Sequence, residues 1–147
     1  MSEENILFQP IKNYCRRDVA TCDPEDSVLK VAGVMRDLKI SSMIVCEGND
    51  PVGIMTDRDL RNKVVAQGID PATIVARDIM HAPLITVGED DFIFEALYRI
   101  SKNGIHRICV VDQDNCLSGI ITVSDIMRLQ TRSPQKLVRD IDKAATL

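Results

Sequence analysis

The sequence predicts a mixed α/β (α+β) fold in which two pseudo-symmetric β-α-β-β-α repeats pack sheet to sheet. Three observations predict it. The stretch "GIMTDRDLR" at 53–61 returns as "GIITVSDIMR" at 119–128, with Gly53/Gly119, Thr56/Thr122 and Asp59/Asp125 at one constant offset of 66 residues. Repetition at a fixed spacing marks a duplicated structural unit. Short apolar runs and amphipathic helical stretches alternate in the same order in both copies. Finally, one copy alone would leave its sheet and helices partly bare, whereas two facing copies bury a shared core.

Each element has a local reason. Segments leading to Thr21 ("RRDVATC") and Thr86 ("APLITV") open the copies as short strands. In copy one the spacing predicts a helix capped at Asp23, with Pro24 in its first turn. Its apolar stripe is Val28, Val31, Ala32, Met35 and Leu38. In copy two the helix is predicted to open at Gly88-Glu89-Asp90-Asp91 and to bury Phe92, Ala96, Leu97 and Ile100. Apolar strands follow at 40–46 and 105–111. Polar turns, Glu47 to Pro51 and Asp112 to Asn115, then return the chain through "PVGIMT" and "CLSGIIT" as hairpins. Closing helices start directly after the threonines, at 57–66 and 123–131. The expected organisation is an N-terminal extension (1–10), repeat one (11–68), repeat two (69–131) and a helical tail (132–147). Gln67 to Met80 joins the copies and resembles the chain's own start, so each copy is expected to carry its own lead-in.

Composition narrows the function. The 147 residues are 45% hydrophobic and 27% charged, with 3% aromatics and no tryptophan, which describes a globular protein with an aliphatic core. A net charge of −4 excludes a general nucleic-acid binder, which needs a dense basic surface. No apolar run reaches the ~20 residues of a membrane helix, and "MSEENILFQ" lacks the regions of a secretion signal. The five cysteines form no C-x-x-C pair and read as reduced thiols of a cytoplasmic protein. A zinc site from Cys15, Cys22 and His81 fits no usual ligand spacing. The motifs of phosphate-binding loops, zinc peptidases and serine hydrolases are missing, and His81 and His106 have no nucleophile in motif context, so no catalytic role is expected.

Thr56 and Thr122 end strands, with Asp59 and Asp125 three residues on. This arrangement caps a helix: the threonine oxygen accepts a backbone N–H and the acid favours the positive helix end. The same geometry suits a nucleoside phosphate. The helix start offers N–H donors to phosphate, a carboxylate can accept both hydroxyls of a ribose, and a preceding glycine lets backbone approach closely. Both readings stand at this point.

Tandem repeats that each end in glycine, two apolar residues and T-x-x-D, with the lead-in "ARDIM" and the strand "IHRICVVD", resemble a pair of CBS domains, the Bateman module, from Ile11 to Gln130. The resemblance implies a regulatory unit for adenosyl ligands such as AMP, ADP, ATP or S-adenosylmethionine, working as a homodimer and modulating a covalently attached domain. It implies that Asp59 and Asp125 hold the ribose and that Thr56 and Thr122 lie near ribose or phosphate. Val19-Ala20-Thr21 and Leu84-Ile85-Thr86 would flank the base, and Ser41-Ser42 and His106-Arg107 would point into the cleft. His106 and Arg107 offer positive charge where Ser41 and Ser42 offer hydroxyls, so a polyphosphate is expected to run towards His106 and Arg107. Arg58 is a further phosphate candidate, whereas Lys63, Arg61 and Arg128 read as solvated charges. The other functional class is a ligand-free assembly module that dimerises through its helix faces. Ser133-Pro134 and the stripe Leu137, Val138, Ile141, Ala144 and Ala145 predict a terminal helix. With "TDRDLR" and "KLVRDIDKA", the tail is similar to that of multidomain bacterial signalling proteins. These carry a cyclic-nucleotide-binding domain before the pair and a nucleotidyltransferase domain after it, which implies that the chain is a fragment.

Overall fold

The computed structural model describes residues 5–130. The terminal helix expected from Ser133 lies outside the described residues. Repeat one contains β1 (Thr21–Cys22), α1 (Val28–Leu38), β2 (Ser42–Glu47), β3 (Asp50–Thr56) and α2 (Asp57–Leu60), which continues as a wider turn over Arg61–Val65. After the short helix α3 (Ala76–Ile79), repeat two contains β4 (Thr86–Gly88), α4 (Ile93–Asn103), β5 (Arg107–Val111), β6 (Leu117–Thr122) and α5 (Val123–Gln130).

Each repeat forms a three-stranded sheet, ordered β1-β2-β3 and β4-β5-β6. In both, the first pair is parallel and the second antiparallel, and the register sets Ser42 opposite Thr56 and Arg107 opposite Thr122. A bulge falls at the same place in each hairpin, between Val45 and Cys46 and between Val110 and Val111. The sheets face each other across Ile44, Cys109 and Val111, with Ile54 and Ile120 packed alongside. Each sheet's other face carries its own aliphatic core, centred on Val31, Met43 and Met55 in one half and on Ile93, Ile108 and Ile121 in the other.

Each copy carries a lead-in, and the two lead-ins cross over to pack on the opposite half. Ile11, in the lead-in of repeat one, is fully buried in the core of repeat two, while Ala76 and Ile79, in the lead-in of repeat two, are buried in that of repeat one. Arg16 exchanges both backbone hydrogen bonds with Ile120 at 2.9 Å, and His81 does the same with Ile54 at 2.8 and 3.1 Å. Gly119 and Gly53 make room for this. A Cβ on Gly119 would sit 2.7 Å from the Arg16 carbonyl oxygen, and one on Gly53 would sit 2.9 Å from that of His81. The close backbone approach foreseen for a ligand is therefore made by the chain itself.

The crossing also delays both long helices relative to the sequence expectation. Ile11 N and Lys12 N donate to the carbonyls of Asp91 and Glu89, and Ala76 N and Arg77 N donate to those of Asp26 and Pro24. With these acceptors taken, 23–26 and 89–91 stay outside the helices. Ser27 instead caps α1, its hydroxyl accepting from Lys30 N at 3.1 Å, and α4 starts at Ile93. Three core assignments change: Ala32 is only half-buried and outside the core cluster, Leu38 is 56% exposed at the end of α1, and Phe92 is 53% exposed, edge-on to Phe8, while Ile93 takes the core place.

Candidate functional site

Between Arg16 and Thr21 the chain leaves the second sheet and joins the first, and this crossing walls a cleft of about 380 Å³. Val19 and Ala20 line one side, Ser41 and Ser42 at the head of β2 a second, and His106 and Arg107 before and at the head of β5 a third. Thr122, at the end of β6, closes the fourth. Predicted site residues from both copies thus meet in one place, and the motif contributed is that of the second copy. Arg107 Nη1 donates to the hydroxyls of Ser41 (3.0 Å) and Ser42 (2.9 Å), so the heads of the two middle strands are tied across the cleft.

Thr122 and Asp125 cap α5 reciprocally: Asp125 N donates to Thr122 Oγ1 at 3.0 Å, and Thr122 N donates to Asp125 Oδ2 at 3.2 Å. Asp125 Oδ1 accepts from the guanidinium of Arg16 at 2.8 Å and from that of Arg128. Both arginines are well exposed, at 60% and 58%, whereas Asp125 is only 10% exposed. Burial works to raise the Asp125 carboxyl, but Thr122 and the Arg16 guanidinium outweigh it and hold the group below its ordinary value. The site is an anionic acceptor fenced by two exposed cations.

The first motif has the same backbone plan and a different occupancy. Asp59 is 2% exposed. Its Oδ2 accepts from Thr56 N at 2.9 Å and Thr56 Oγ1 at 3.0 Å, and its Oδ1 faces His81 Nε2 at 3.0 Å and Lys63 Nζ at 3.2 Å. A carboxylate offers about four acceptor positions, and all are engaged. His81 stands where Arg16 stands in the other half.

The remaining predicted residues fall elsewhere. Thr21 begins β1 outside the cleft lining, Leu84 packs between the sheets, Ile85 packs against the second core, and the Thr86 carbonyl accepts from Arg99 Nη1. Arg58 is exposed at the start of α2 and does not line this cleft. Two expected surface charges belong to the sites instead: Arg128 lines the cleft, and Lys63 holds Asp59 while donating to the Ile79 carbonyl. Arg16, Asp18 and Lys39 in the lining were not anticipated. Arg128 and Lys63 carried a readable signal, since they follow the motif aspartates by three and four residues on one helix face. Arg16 carried none, because its role depends on the crossing. Among the described residues no group of three metal-ligating side chains suits a metal ion. Burial pushes the thiols of Cys109 and Cys22 up to about 12 and about 11, far from the range of a reactive cysteine.

Two interlocked β-α-β-β-α repeats with a cleft walled by both copies define a tandem-repeat module. The chain belongs to the CBS domain family, whose sequence profile matches residues 11–66 and 76–132. It is 42% identical over 121 residues to an uncharacterized protein of Methanopyrus kandleri, covering 82% of this chain and 62% of that protein. It is 34% identical over 112 residues to an inosine-5'-monophosphate dehydrogenase of Methanocaldococcus jannaschii, covering 76% of this chain and 22% of the enzyme. The chain therefore spans less than two thirds of these relatives. Among solved structures, it superposes on a CBS domain pair in complex with 5'-methylthioadenosine and S-adenosyl-L-methionine. The TM-score is 0.73 at 27% identity, covering 83% of this chain and 95% of that one.

Proposed function

We propose that this chain is a regulatory module that senses an adenosyl ligand in the cleft beside Thr122 and Asp125. The observation that carries the reading is the convergence of Val19-Ala20, Ser41-Ser42, His106-Arg107 and Thr122 on one volume. Backbone and aliphatic atoms there suit a base, the Asp125 carboxylate suits a ribose diol, and the basic side chains suit phosphate. The adenosyl ligands of the similar CBS pair support the same class here. Binding would bias the relative position of the two halves and so an attached effector domain, a coupling that requires different affinities for two states. That attachment follows the bacterial architecture with cyclic-nucleotide-binding and nucleotidyltransferase domains. The module acts in the cytoplasm and performs no chemistry of its own.

Calorimetry with AMP, ADP, ATP and S-adenosylmethionine tests the reading. Saturable binding to the native chain, lost in Asp125→Ala, is the expected result, and no binding by any of the four overturns it. A second reading has its own observation. Phe94 and Tyr98 are exposed on one face of α4, and Met127 is exposed on α5, which favours homodimerisation through these helices. Sedimentation of the native chain and of Tyr98→Glu checks it. A dimer that the substitution dissociates is expected, and a native monomer excludes it.

A further inference from the structure

The two lead-ins cross in the same way but differ in bulk. His81 pairs its backbone with Ile54 as Arg16 does with Ile120, so the residues around them correspond one to one. Where the first lead-in carries Cys15, Val19 and Ala20, the second carries Met80, Leu84 and Ile85. Each replacement is the larger side chain. Val19 and Ala20 line the cleft beside Thr122, whereas Leu84 packs between the sheets and Ile85 against the core of repeat two. Met80 packs on the core of repeat one, its Sδ 2.6 Å from where a Cβ on Gly53 would stand. The second lead-in therefore brings more apolar volume to the pseudo-symmetric place beside Thr56. The carboxylates differ as well. Thr56 spends its hydroxyl twice on Asp59, donating to Oδ2 at 3.0 Å and accepting from Asp59 N at 3.3 Å. Lys63 is held at two points, on Asp59 Oδ1 at 3.2 Å and on the Ile79 carbonyl at 2.9 Å, and the second copy has Leu129 in its place.

We propose that the motif of repeat one is closed by the chain's own Lys63 and His81, so that the module takes one adenosyl ligand per chain, in the cleft beside Thr122. The inference rests on the adenosyl reading above and deepens it by fixing the number and place of the ligands. A ribose diol would bring two O–H donors to a motif carboxylate. At Asp59 Oδ1 two donors are already supplied, by Lys63 Nζ and His81 Nε2, and both are stronger than a neutral hydroxyl wherever they carry charge. Exchanging them for hydroxyls would strip a carboxylate that is 2% exposed of its basic partners, which is costly in a buried place. Leu84 and Ile85 take up room on the side where a base would lie. Repeat one is then the fixed half of the module, its α2 tied to α3 through Lys63, and ligand acts on the α5 end of repeat two.

Equilibrium dialysis of the full chain with AMP, ADP, ATP and S-adenosylmethionine counts the ligands. One molecule per chain at saturation is expected for each ligand that binds. Asp59→Asn retains an acceptor for the Thr56 amide and is expected to leave Kd within about twofold, whereas Asp125→Asn abolishes binding. Two molecules per chain overturn the inference. Loss of binding in an Asp59→Asn chain whose amide protection in β4 to β6 is native does so too. Native-state hydrogen exchange supplies a readout that needs no ligand. In the free chain the Thr56 and Asp59 amides are expected to exchange at least about tenfold slower than those of Thr122 and Asp125, and ligand is expected to slow only the second pair. Equal rates in the free chain overturn the closure of repeat one. If none of the four ligands binds while the first pair stays slow, the adenosyl reading fails alone and repeat one remains closed.

Discussion

At the residue scale, Asp59 and Asp125 hold equivalent motif positions, and their surroundings separate their tasks. Asp59 is buried against Thr56, Lys63 and His81, so its removal takes away a helix cap and leaves two basic groups without their partner. Asp59→Ala is expected to lower stability by about 2–4 kcal/mol in urea denaturation. Asp125 meets arginines that reach water without it, so Asp125→Ala is expected to lower stability by only about 1–2 kcal/mol, close to the loss of a cap, while ligand binding disappears. The pH dependence has a definite sign. The Asp125 carboxyl lies below its ordinary value, so its contribution is complete above about pH 4 and is lost as pH falls through that value towards the depressed one. The urea midpoint of Asp125→Asn should therefore fall less steeply than that of the native chain on acidification. An equally steep fall would show that Thr122 and Arg16 do not favour the charged form.

At the scale of elements, the lead-ins explain features that a single repeat does not. Gly119→Ala would drive a Cβ into the Arg16 carbonyl and Cys15, and is expected to cost about 1–3 kcal/mol in thermal melts. Gly33→Ala is the contrasting case. It lies inside α1 with nothing nearer than 3.9 Å, so alanine should stabilise the helix by about 0.5–1 kcal/mol. The same contacts show how far the sequence could be read. The alternation of strands and helices, the start of α2 and α5 after their threonines and the cores of both halves were legible, because they follow from local periodicity and capping. The starts of α1 and α4 were not. Asp23-Pro24 is as good a helix opening as Ser27 in local terms, and only the distant Ala76 and Arg77 decide between them by taking carbonyls. The site was legible to the same extent. Thr122 was named from the motif copies and Ser41, Ser42, His106 and Arg107 from what the family resemblance implies, whereas Arg16 and Lys39 reach the cleft through long-range geometry that has no sequence period.

For the whole molecule, the exchange of lead-ins makes each half part of the other's core, and this has a consequence that separates it from simple side-by-side packing. Ile11 opens repeat one in the chain but is fully buried with Val87, Ile93, Ile108 and Ile121 of repeat two. Ile11→Ala should lower stability by about 2–4 kcal/mol, the usual range for an aliphatic side chain truncated in a closed core. If the lead-in served its own repeat, amide protection would fall first in β1 to β3. With the crossing, it falls first in β4 to β6, where the cavity opens, and the reciprocal substitution Ile79→Ala weakens β1 to β3 instead. Native-state hydrogen exchange reads this directly, because local openings report the unit in which they occur. Loss of protection in the lead-in's own repeat would contradict the crossing. Loss spread evenly over both sheets would mean that the shared layer of Ile44, Cys109 and Val111 couples the halves into one opening unit.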